Sequence, residues 1–168
     1  MAALQARKLE RVCGRVAFVG KDPAALAAFG YPFVADLATD RAALHGLLAA
    51  LEWSPDQLAV VLAADVPRVP ETLLSALLAR LESTGAPAVV PADAGHPQPL
   101  CAAWSRLALP ALRLAVAEGD FSLRRVVEAT RALVLSEEET ALLPGFTPGA
   151  FRNVNTPEEY RAVEEENA

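Results

Sequence analysis

The sequence predicts an α/β fold in which a mostly parallel sheet carries helices on both faces. Strand-like and helix-like segments alternate along the chain, with no repeat and no internal linker. One run, residues 58–63, is apolar at every position, which is typical of a central strand covered on both faces. The 168 residues are the usual size of one domain, so we expect a single domain over residues 1–168.

Composition narrows the class of protein. Hydrophobic residues make up 53% of the chain and charged residues 21%, which argues against a disordered or fibrous protein. The net charge of −6 argues against a nucleic-acid binder, and no apolar run approaches the roughly 20 residues needed to span a bilayer. Cys13 and Cys101 lie far apart among apolar neighbours, so we expect two reduced thiols in a cytoplasmic protein.

The first half of the chain alternates between the two kinds of element. Leu4, Val12 and the stem of Lys8 share one face of a helix predicted over 3–12. Leucines at i, i+3, i+4 and i+7 predict a stronger helix over 41–53. The other predicted elements are strands at 15–20, 32–35 and 58–63 and a short helix at 23–29 capped by Gly30.

The second half continues the alternation. We predict helices at 70–83, 106–118 and 122–129, and strands at 87–90 and 131–135. A polar link at 93–97 leads to an extended segment at 98–104, and residues 153–155 are also predicted to be extended. Thr156, followed by proline and two glutamates, has the pattern of an N-cap and predicts a C-terminal helix.

Two aspartates are placed where chemistry gathers in an α/β sheet. Asp65 follows the apolar strand directly, and Pro67 stiffens the chain after it. A carboxylate displayed at that rim suits Mg²⁺, which proteins hold with one or two carboxylates plus substrate phosphates. The alternative is a carboxylate that caps its own loop. Asp36 follows another predicted strand, where an Asx-type turn ahead of a helix is the competing interpretation.

Other polar residues are weaker candidates. Asn153 and Asn155 flank Val154, so in an extended segment both amides point to the same side, towards a ligand or towards the start of the Thr156 helix. Arg124 could reach a phosphate, although adjacent arginines on a helix are usually solvated. His45 and His96 form no arrangement typical of nucleophilic catalysis or zinc binding.

Four stretches, in a fixed order, carry a family resemblance. They are the segment from Asp36 to Gly46, Leu-Ala-Ala-Asp-Val-Pro at 62–67, His-Pro-Gln-Pro-Leu-Cys-Ala-Ala at 96–103, and Asn-Val-Asn-Thr-Pro-Glu-Glu at 153–159. From about residue 4 to the C terminus, the chain resembles the molybdenum cofactor guanylyltransferases and, more broadly, the Rossmann-like nucleotidyltransferases. The last stretch is the most specific, and at 62–67 Ala64 replaces the cysteine of the family pattern.

The resemblance implies a fold, a reaction and a set of roles. The fold is a Rossmann-like three-layer sandwich of the nucleotide-diphospho-sugar transferase type. The reaction is transfer of GMP from GTP to molybdopterin, with Mg²⁺ as the cofactor and pyrophosphate as the second product. The resemblance implies that Asp65 binds the metal, that Asn155 supports the metal region and that Asn153 lies in the ligand site. Asp36 and Gly46 would contact the guanine and ribose of the nucleotide. Gln98 and Pro99 would contact the pterin, and Arg124 would bind its phosphate.

The family's first strand and its glycine-rich phosphate loop have no counterpart within residues 1–14, which contain one glycine. That loop would cradle the nucleotide phosphates with backbone N–H groups, so we expect very low activity from residues 1–168 alone. Because the family's first strand lies inside the sheet, we expect two apolar strands with unpaired edges. We favour a true start upstream of Met1; closure of the sheet, or a partner that fills the gap, are the alternatives.

Other functions remain open on the sequence. The chain could be a non-catalytic remnant that binds a pterin or docks a protein, or a relative that uses CTP or a sugar phosphate. Homo-oligomerisation and contacts with molybdoenzyme maturation proteins are also left open. We expect neither nucleic acid nor membrane among the partners.

Overall fold

The computed structural model describes residues 1–36 and 43–166. Its helices are α1 Ala2–Glu10, α2 Ala43–Trp53, α3 Glu71–Thr84, α4 Leu109–Ala117, α5 Leu123–Ala129, α6 Glu137–Ala141 and α7 Pro157–Glu166. Its strands are β1 Phe18–Gly20, β2 Phe33–Ala35, β3 Leu58–Leu62, β4 Ala88–Val90, β5 Ala92–Asp93, β6 His96–Pro97, β7 Cys101–Ser105 and β8 Leu133–Val134. None of the helices within these residues is both long enough and apolar enough to cross a membrane.

Four strands form the wide sheet, in the order β3-β7-β4-β8. Strand β7 is antiparallel to both β3 and β4, so β3 and β4 run in the same direction, and β8 is parallel to β4. The predicted α/β class is confirmed, with one reversed strand. The reversal follows from the β5–β6 hairpin, whose turn at Ala94 and Gly95 sends the chain back beside β4.

Helices cover both faces of the wide sheet, which makes three layers. On one face, Leu44, Leu47 and Leu51 of α2 pack with α4, α5 and Trp104. On the other face, Leu77 and Leu81 of α3 pack against Val89, Ala103 and Leu135. Side chains that alternate along each strand therefore enter two separate cores, as expected for a sheet buried on both sides.

The narrow sheet consists of β1 and β2, which pair in parallel. Within the described residues, no strand joins the outer edge of β1 or the outer edge of β3. The expectation of two apolar strands with unpaired edges is therefore confirmed for these residues, and a gap separates the two sheets.

The structure corrects several local predictions. The segment 23–29 contains only a 3-10 turn, Ala27–Phe29, although Gly30 caps it in the left-handed region at φ 74° as expected. Residues 98–100 form a turn, and the extended segment begins only at Cys101, because its peptide N–H donates back to Gln98 O at 2.9 Å. Helix α6 was missed, although Ser136 and Glu139 form a capping box at its start.

Candidate functional site

Asp65 lies in the loop that leaves the carboxyl end of β3, here called the exit loop and comprising residues 63–69. Its side chain is half-buried, and its carboxylate accepts no hydrogen bond from the residues that the structure describes. The neighbouring Val66, Pro67 and Val69 are buried and hold the loop against the molecule. The carboxylate is therefore displayed at the rim of the sheet and remains available to a ligand.

The Asn-Val-Asn segment lies directly beside the exit loop. The peptide N–H of Val154 donates to the backbone oxygen of Asp65 at 2.7 Å. Val154 is buried, whereas Asn153 and Asn155 on either side of it are exposed. The two regions that the sequence singled out are thus brought together, and both amides lie on the solvent side of the segment.

A capping box fixes the chain just after these amides. Thr156 Oγ1 accepts the N–H of Glu159 at 3.2 Å, and Glu159 Oε2 accepts the N–H groups of Asn155 at 2.9 Å and Thr156 at 3.3 Å. The hydrogen bond from the Asn155 backbone is the main cause of a lowered pKa for Glu159. The predicted N-cap is confirmed, and the carboxylate of Glu159 accepts its hydrogen bonds from within the capping box.

Two side chains of helix α1 hold the exit loop by hydrogen bonds to its carbonyls. Gln5 Nε2 donates to the carbonyls of Ala63 at 3.1 Å and Val66 at 2.8 Å. Lys8 Nζ donates to the carbonyls of Pro67 and of Val69, the latter at 2.9 Å. Partial burial lowers the pKa of Lys8. Sequence reasoning missed this anchoring; the available signal was two polar side chains on the apolar face of a short helix.

Asp36 and Gly46 line one cavity of about 390 Å³ that also reaches Ala64. The N–H of Asp36 donates to Gly20 O at 2.8 Å, which extends the pairing of β1 with β2. Gly46 lies inside α2, and a Cβ there would meet Val19 Cγ1 at 3.9 Å, an ordinary contact. The cavity therefore brings these two residues near the exit loop, while the intervening residues 37–42 lie outside the described part of the chain.

Gln98 and Pro99 occupy the turn before β7. Gln98 Nε2 donates to the carbonyl of His96 at 3.1 Å, and Pro99 O accepts the indole N–H of Trp104 at 3.0 Å. The next carbonyl in this turn, that of Leu100, accepts the N–H of Ala63 at 2.7 Å. This hydrogen bond places the turn against the beginning of the exit loop.

Arg124 stands apart from this group. Its guanidinium is exposed and pairs with Glu128 one helical turn later, with Arg124 Nε 3.2 Å from Glu128 Oε1. Helix α5 packs against α4. Among the described residues no hydrogen bond or ion pair joins Arg124 to Asp65, so the structure does not gather this residue with the others.

The donor set around Asp65 is sparse. The described residues contain no group of three or more His, Cys, Asp or Glu side chains that could hold a metal. One carboxylate beside exposed amides fits a hard cation that keeps several waters and takes further oxygens from a bound phosphate. It does not fit a cation held only by protein ligands.

Cys101 lies close to this site but does not belong to it. Burial raises the pKa of its thiol to about 12, the Ala63 backbone opposes that shift, and the charge of Asp65 adds to it. A thiol that stays protonated is a poor nucleophile and a poor metal ligand. Both cysteines are unpaired, as predicted, with Cys101 buried and Cys13 half-buried.

Comparisons with known proteins identify the family. The sequence model of the MobA-like NTP transferase domain matches residues 1–134. A probable molybdenum cofactor guanylyltransferase from Chloroflexus aggregans is 32% identical over 161 residues, which span 93% of this chain and 75% of that protein.

Two solved structures share the fold. The molybdopterin-guanine dinucleotide biosynthesis protein A from Archaeoglobus fulgidus superposes with a TM-score of 0.76 at 25% identity, over 98% of this chain and 85% of the other. The 2-C-methyl-D-erythritol 4-phosphate cytidylyltransferase from Thermus thermophilus gives 0.66 at 15% identity, over 98% and 87%. The cytidylyltransferase supports the fold alone.

Proposed function

The chain belongs to the family of MobA-like NTP transferases, and on that premise we propose that it transfers GMP from GTP to molybdopterin and releases pyrophosphate. The chain is a nucleotidyltransferase of molybdenum cofactor biosynthesis, because the family model matches it and its relatives are named molybdenum cofactor guanylyltransferases. GTP and molybdopterin are the substrates we propose, and the cytoplasm is the proposed location.

One observation carries the proposal. Asp65 projects from the end of β3, and the hydrogen bond from Val154 N–H to Asp65 O holds the Asn153–Asn155 pair beside it. A displayed carboxylate with amides next to it suits the metal part of a polyphosphate site, because phosphates and water can provide the remaining oxygen ligands of Mg²⁺.

The proposed reaction is a single displacement at phosphorus. An oxygen of the terminal phosphate of the pterin attacks the α-phosphorus of GTP, and the bond from that phosphorus to the α–β bridging oxygen breaks. The electron pair of the broken bond leaves with pyrophosphate. Mg²⁺ held by Asp65 would neutralise charge on the phosphates. The protein supplies positioning, through the anchored exit loop and the turn at Gln98 and Pro99.

The other candidate residues are assigned to the two substrates by where they lie relative to the exit loop. We assign Asp36 and Gly46 to the guanine and ribose side, because the cavity they line opens towards the exit loop. Gln98 and Pro99 are assigned to the pterin side as the family resemblance implies, and their turn is hydrogen-bonded to the beginning of the exit loop through Ala63 N–H and Leu100 O. Asn155 supports the metal region. Arg124 remains a proposal for the pterin phosphate that requires its ion pair with Glu128 to open.

Binding of GTP by residues 1–168, measured by calorimetry with and without Mg²⁺, tests the metal assignment. We expect Asp65→Asn to weaken the Mg²⁺-dependent part of binding about tenfold or more, which corresponds to about 1.4 kcal/mol. Asp56→Asn is the matched control, because Asp56 lies just before the other end of β3 and its carboxylate is 3.9 Å from Nε of the exposed Arg15.

Turnover is measured with the glycine-rich loop of the family joined ahead of Met1. There, Asp65→Asn should lower kcat by at least about 10²-fold. Unchanged turnover would show that Asp65 does not hold the metal. If residues 1–168 bind no GTP in a metal-dependent way and the joined protein has no turnover, the chain is a non-catalytic binding module and the proposed reaction is wrong.

A further inference from the structure

The turn before β7, here called the proline turn and comprising residues 98–100, is closed by its own backbone. Gln98 O accepts the N–H of Cys101 at 2.9 Å, so Pro99 stands at the second position of a β-turn, where proline is favoured. The N–H of Gln98 donates to Pro91 O, just after β4, at 2.8 Å. These two hydrogen bonds fix both ends of the turn.

The central peptide group of the proline turn joins Pro99 to Leu100. Its carbonyl, Pro99 O, accepts the indole N–H of Trp104 at 3.0 Å. This peptide group is trans, so it is planar and its C=O and N–H lie on opposite sides. The N–H of Leu100 therefore points away from Trp104, and the indole sets its direction.

The N–H of Leu100 is the one backbone polar group of the proline turn that has no hydrogen-bond partner among the described residues. Pro99 has no N–H, and the carbonyl of Leu100 accepts the N–H of Ala63 at 2.7 Å. Leu100 is half-buried and lines the cavity that Asp36 and Gly46 also line. A turn that satisfies its other backbone groups thus leaves one donor at the edge of the candidate site.

Trp104 is held firmly enough to support this peptide group. Its side chain is fully buried and packs with leucines of α2 and α4 and with valines of α5. Its cross-strand neighbours on β3 and β4 are Ala59 and Ala88, whose small side chains leave room for the indole. A buried indole N–H normally finds an acceptor, and Trp104 uses it on Pro99 O. The core of the wide sheet is therefore connected directly to the proline turn.

Two explanations compete for the N–H of Leu100. Water satisfies many half-buried peptide groups, in which case Trp104 only completes the core. Position favours a ligand, because the hydrogen bond from Ala63 to Leu100 O joins the turn to the exit loop two residues before Asp65. A peptide N–H is a neutral donor and suits a carbonyl or phosphate oxygen.

We propose that the N–H of Leu100 donates a hydrogen bond to an oxygen of the acceptor substrate, and that Trp104 is the positioning residue that aims it. This inference rests on the proposed function, which assigns Gln98 and Pro99 to the pterin side. It adds a backbone donor to that side. Trp104 acts through the peptide group and does not touch the ligand.

The test removes the indole donor while keeping the shape of the core. The chain has two tryptophans, so in a Trp53→Phe parent only Trp104 remains to be replaced by 3-benzothienylalanine, in which sulfur stands in place of the N–H group. The carbonyl of Pro99 then loses its partner, and the peptide group is free to rotate. We expect Kd for molybdopterin, measured under argon on residues 1–168, to rise about tenfold, and Kd for GTP with Mg²⁺ to change less than about twofold.

Leu112→Ala is the control for packing. Leu112 is fully buried in α4 and belongs to the same core as Trp104, but its substitution leaves the indole donor in place. It should lower Tm and leave Kd for both ligands unchanged. A purely structural role for Trp104 would make the analogue behave as Leu112→Ala does.

A second substitution addresses Leu100 directly. Leucic acid at this position turns the peptide bond after Pro99 into an ester and removes the N–H without changing the side chain. Kd for molybdopterin should again rise about tenfold, with Kd for GTP unchanged.

Amide hydrogen exchange checks the proline turn itself, without any ligand. The amide of Cys101, which closes the turn, should exchange about tenfold faster when Trp104 carries the analogue. The amide of Leu77 in the middle of α3 is the internal reference and should keep its rate.

Each outcome decides the proposal. Selective loss of molybdopterin affinity with both the analogue and the ester supports it. Unchanged molybdopterin affinity in either would mean that the N–H is only solvated and would overturn it, as would an equal loss of GTP affinity or an unchanged exchange rate at Cys101. A parent that binds no molybdopterin contradicts the proposed function as well, whereas a parent that binds it and tolerates both substitutions overturns this inference alone.

Discussion

The two sheets of this molecule differ in burial although both are built from short apolar strands. Every residue of β4 and β7, the two inner strands of the wide sheet, is buried, whereas the residues of its edge strands β3 and β8 and of both strands of the narrow sheet are half-buried or exposed. The wide sheet has helices on both faces, while the narrow sheet packs mainly on α2 and borders the gap between the two sheets. Apolar sequence alone therefore does not make a core; neighbours on both faces do.

The candidate site draws its two aspartates from sheets that differ in packing. Asp65 extends from the wide sheet on a loop held by four hydrogen bonds from Gln5 and Lys8 and by one from Val154. Asp36 extends from the narrow sheet, where a backbone bond to Gly20 aligns it. We infer that the metal side of the site is preorganised and that the base side depends on how firmly β1 and β2 are held.

The largest expected effect compares equal substitutions in the two sheets. Val89→Ala in β4 removes two methyl groups from a fully buried position and should lower the free energy of unfolding by about 2–3 kcal/mol. Val34→Ala in β2 removes the same groups from a half-buried position and should cost less than about 1 kcal/mol. Urea denaturation measures both. Equal costs would mean that the two sheets are equally well packed and would refute the comparison.

Lys8→Met tests the anchoring of the exit loop to α1. Methionine keeps the apolar stem but leaves the carbonyls of Pro67 and Val69 without their donor, so we expect a loss of about 1–3 kcal/mol in unfolding free energy. Arg113→Met is the matched control, because Arg113 pairs with Glu52 on the exposed surface and should contribute at most about 1 kcal/mol. A difference near zero would show that Lys8 does not hold the loop.

The alternation of strands and helices, their approximate positions and the meeting of Asp65 with Asn153 and Asn155 were all predictable from the sequence. These features depend on local periodicity and on one topological rule, namely that the carboxyl ends of parallel strands share an edge. The N-cap at Thr156 was equally readable, since its chemistry is contained within four residues.

The features that sequence reasoning missed depend on distant partners. The reversed direction of β7 follows from a two-residue turn at Ala94 and Gly95 within what was read as a polar link. Gln5 and Lys8 reach carbonyls about sixty residues away, which no local pattern reveals. Arg124 was a candidate because its guanidinium could reach a phosphate, and the structure pairs it with Glu128 on an exposed helix face.

The two cysteines differ in burial, and the pH dependence of the free energy of unfolding should reflect this difference. The pKa of Cys101 is raised from 9.0 to about 12, so above pH 9 the unfolded thiol loses its proton while the folded one keeps it. The contribution of Cys101 to the free energy of unfolding does not change with pH below pH 9, and it falls as the pH rises above 9. Between pH 7.5 and pH 10.5 the parent should lose about 2 kcal/mol more unfolding free energy than Cys101→Ala.

Cys13 provides the comparison for this measurement. Burial also raises its pKa, but the thiol is only half-buried and a hydrogen bond with the Val60 backbone opposes the shift. Cys13→Ala should therefore flatten the pH profile less than Cys101→Ala, and alkylation at pH 8 should modify Cys13 first. Faster modification of Cys101 would contradict the difference in burial.

The smallest expected effect concerns the segment that carries the two amides to the wide sheet. Thr156→Ala removes the acceptor for Glu159 N–H and should lower the free energy of unfolding by about 1 kcal/mol, while Thr156→Ser should be nearly neutral. Ser136→Ala removes the same kind of cap from α6 and should cost a similar amount. If Asn155 supports the metal region, only Thr156→Ala should also weaken Mg²⁺-dependent GTP binding, by about two- to fivefold. Equal GTP binding by Thr156→Ala and Ser136→Ala would mean that the Asn-Val-Asn segment stabilises the fold without acting on the ligand. The loss of either cap would then change only the free energy of unfolding.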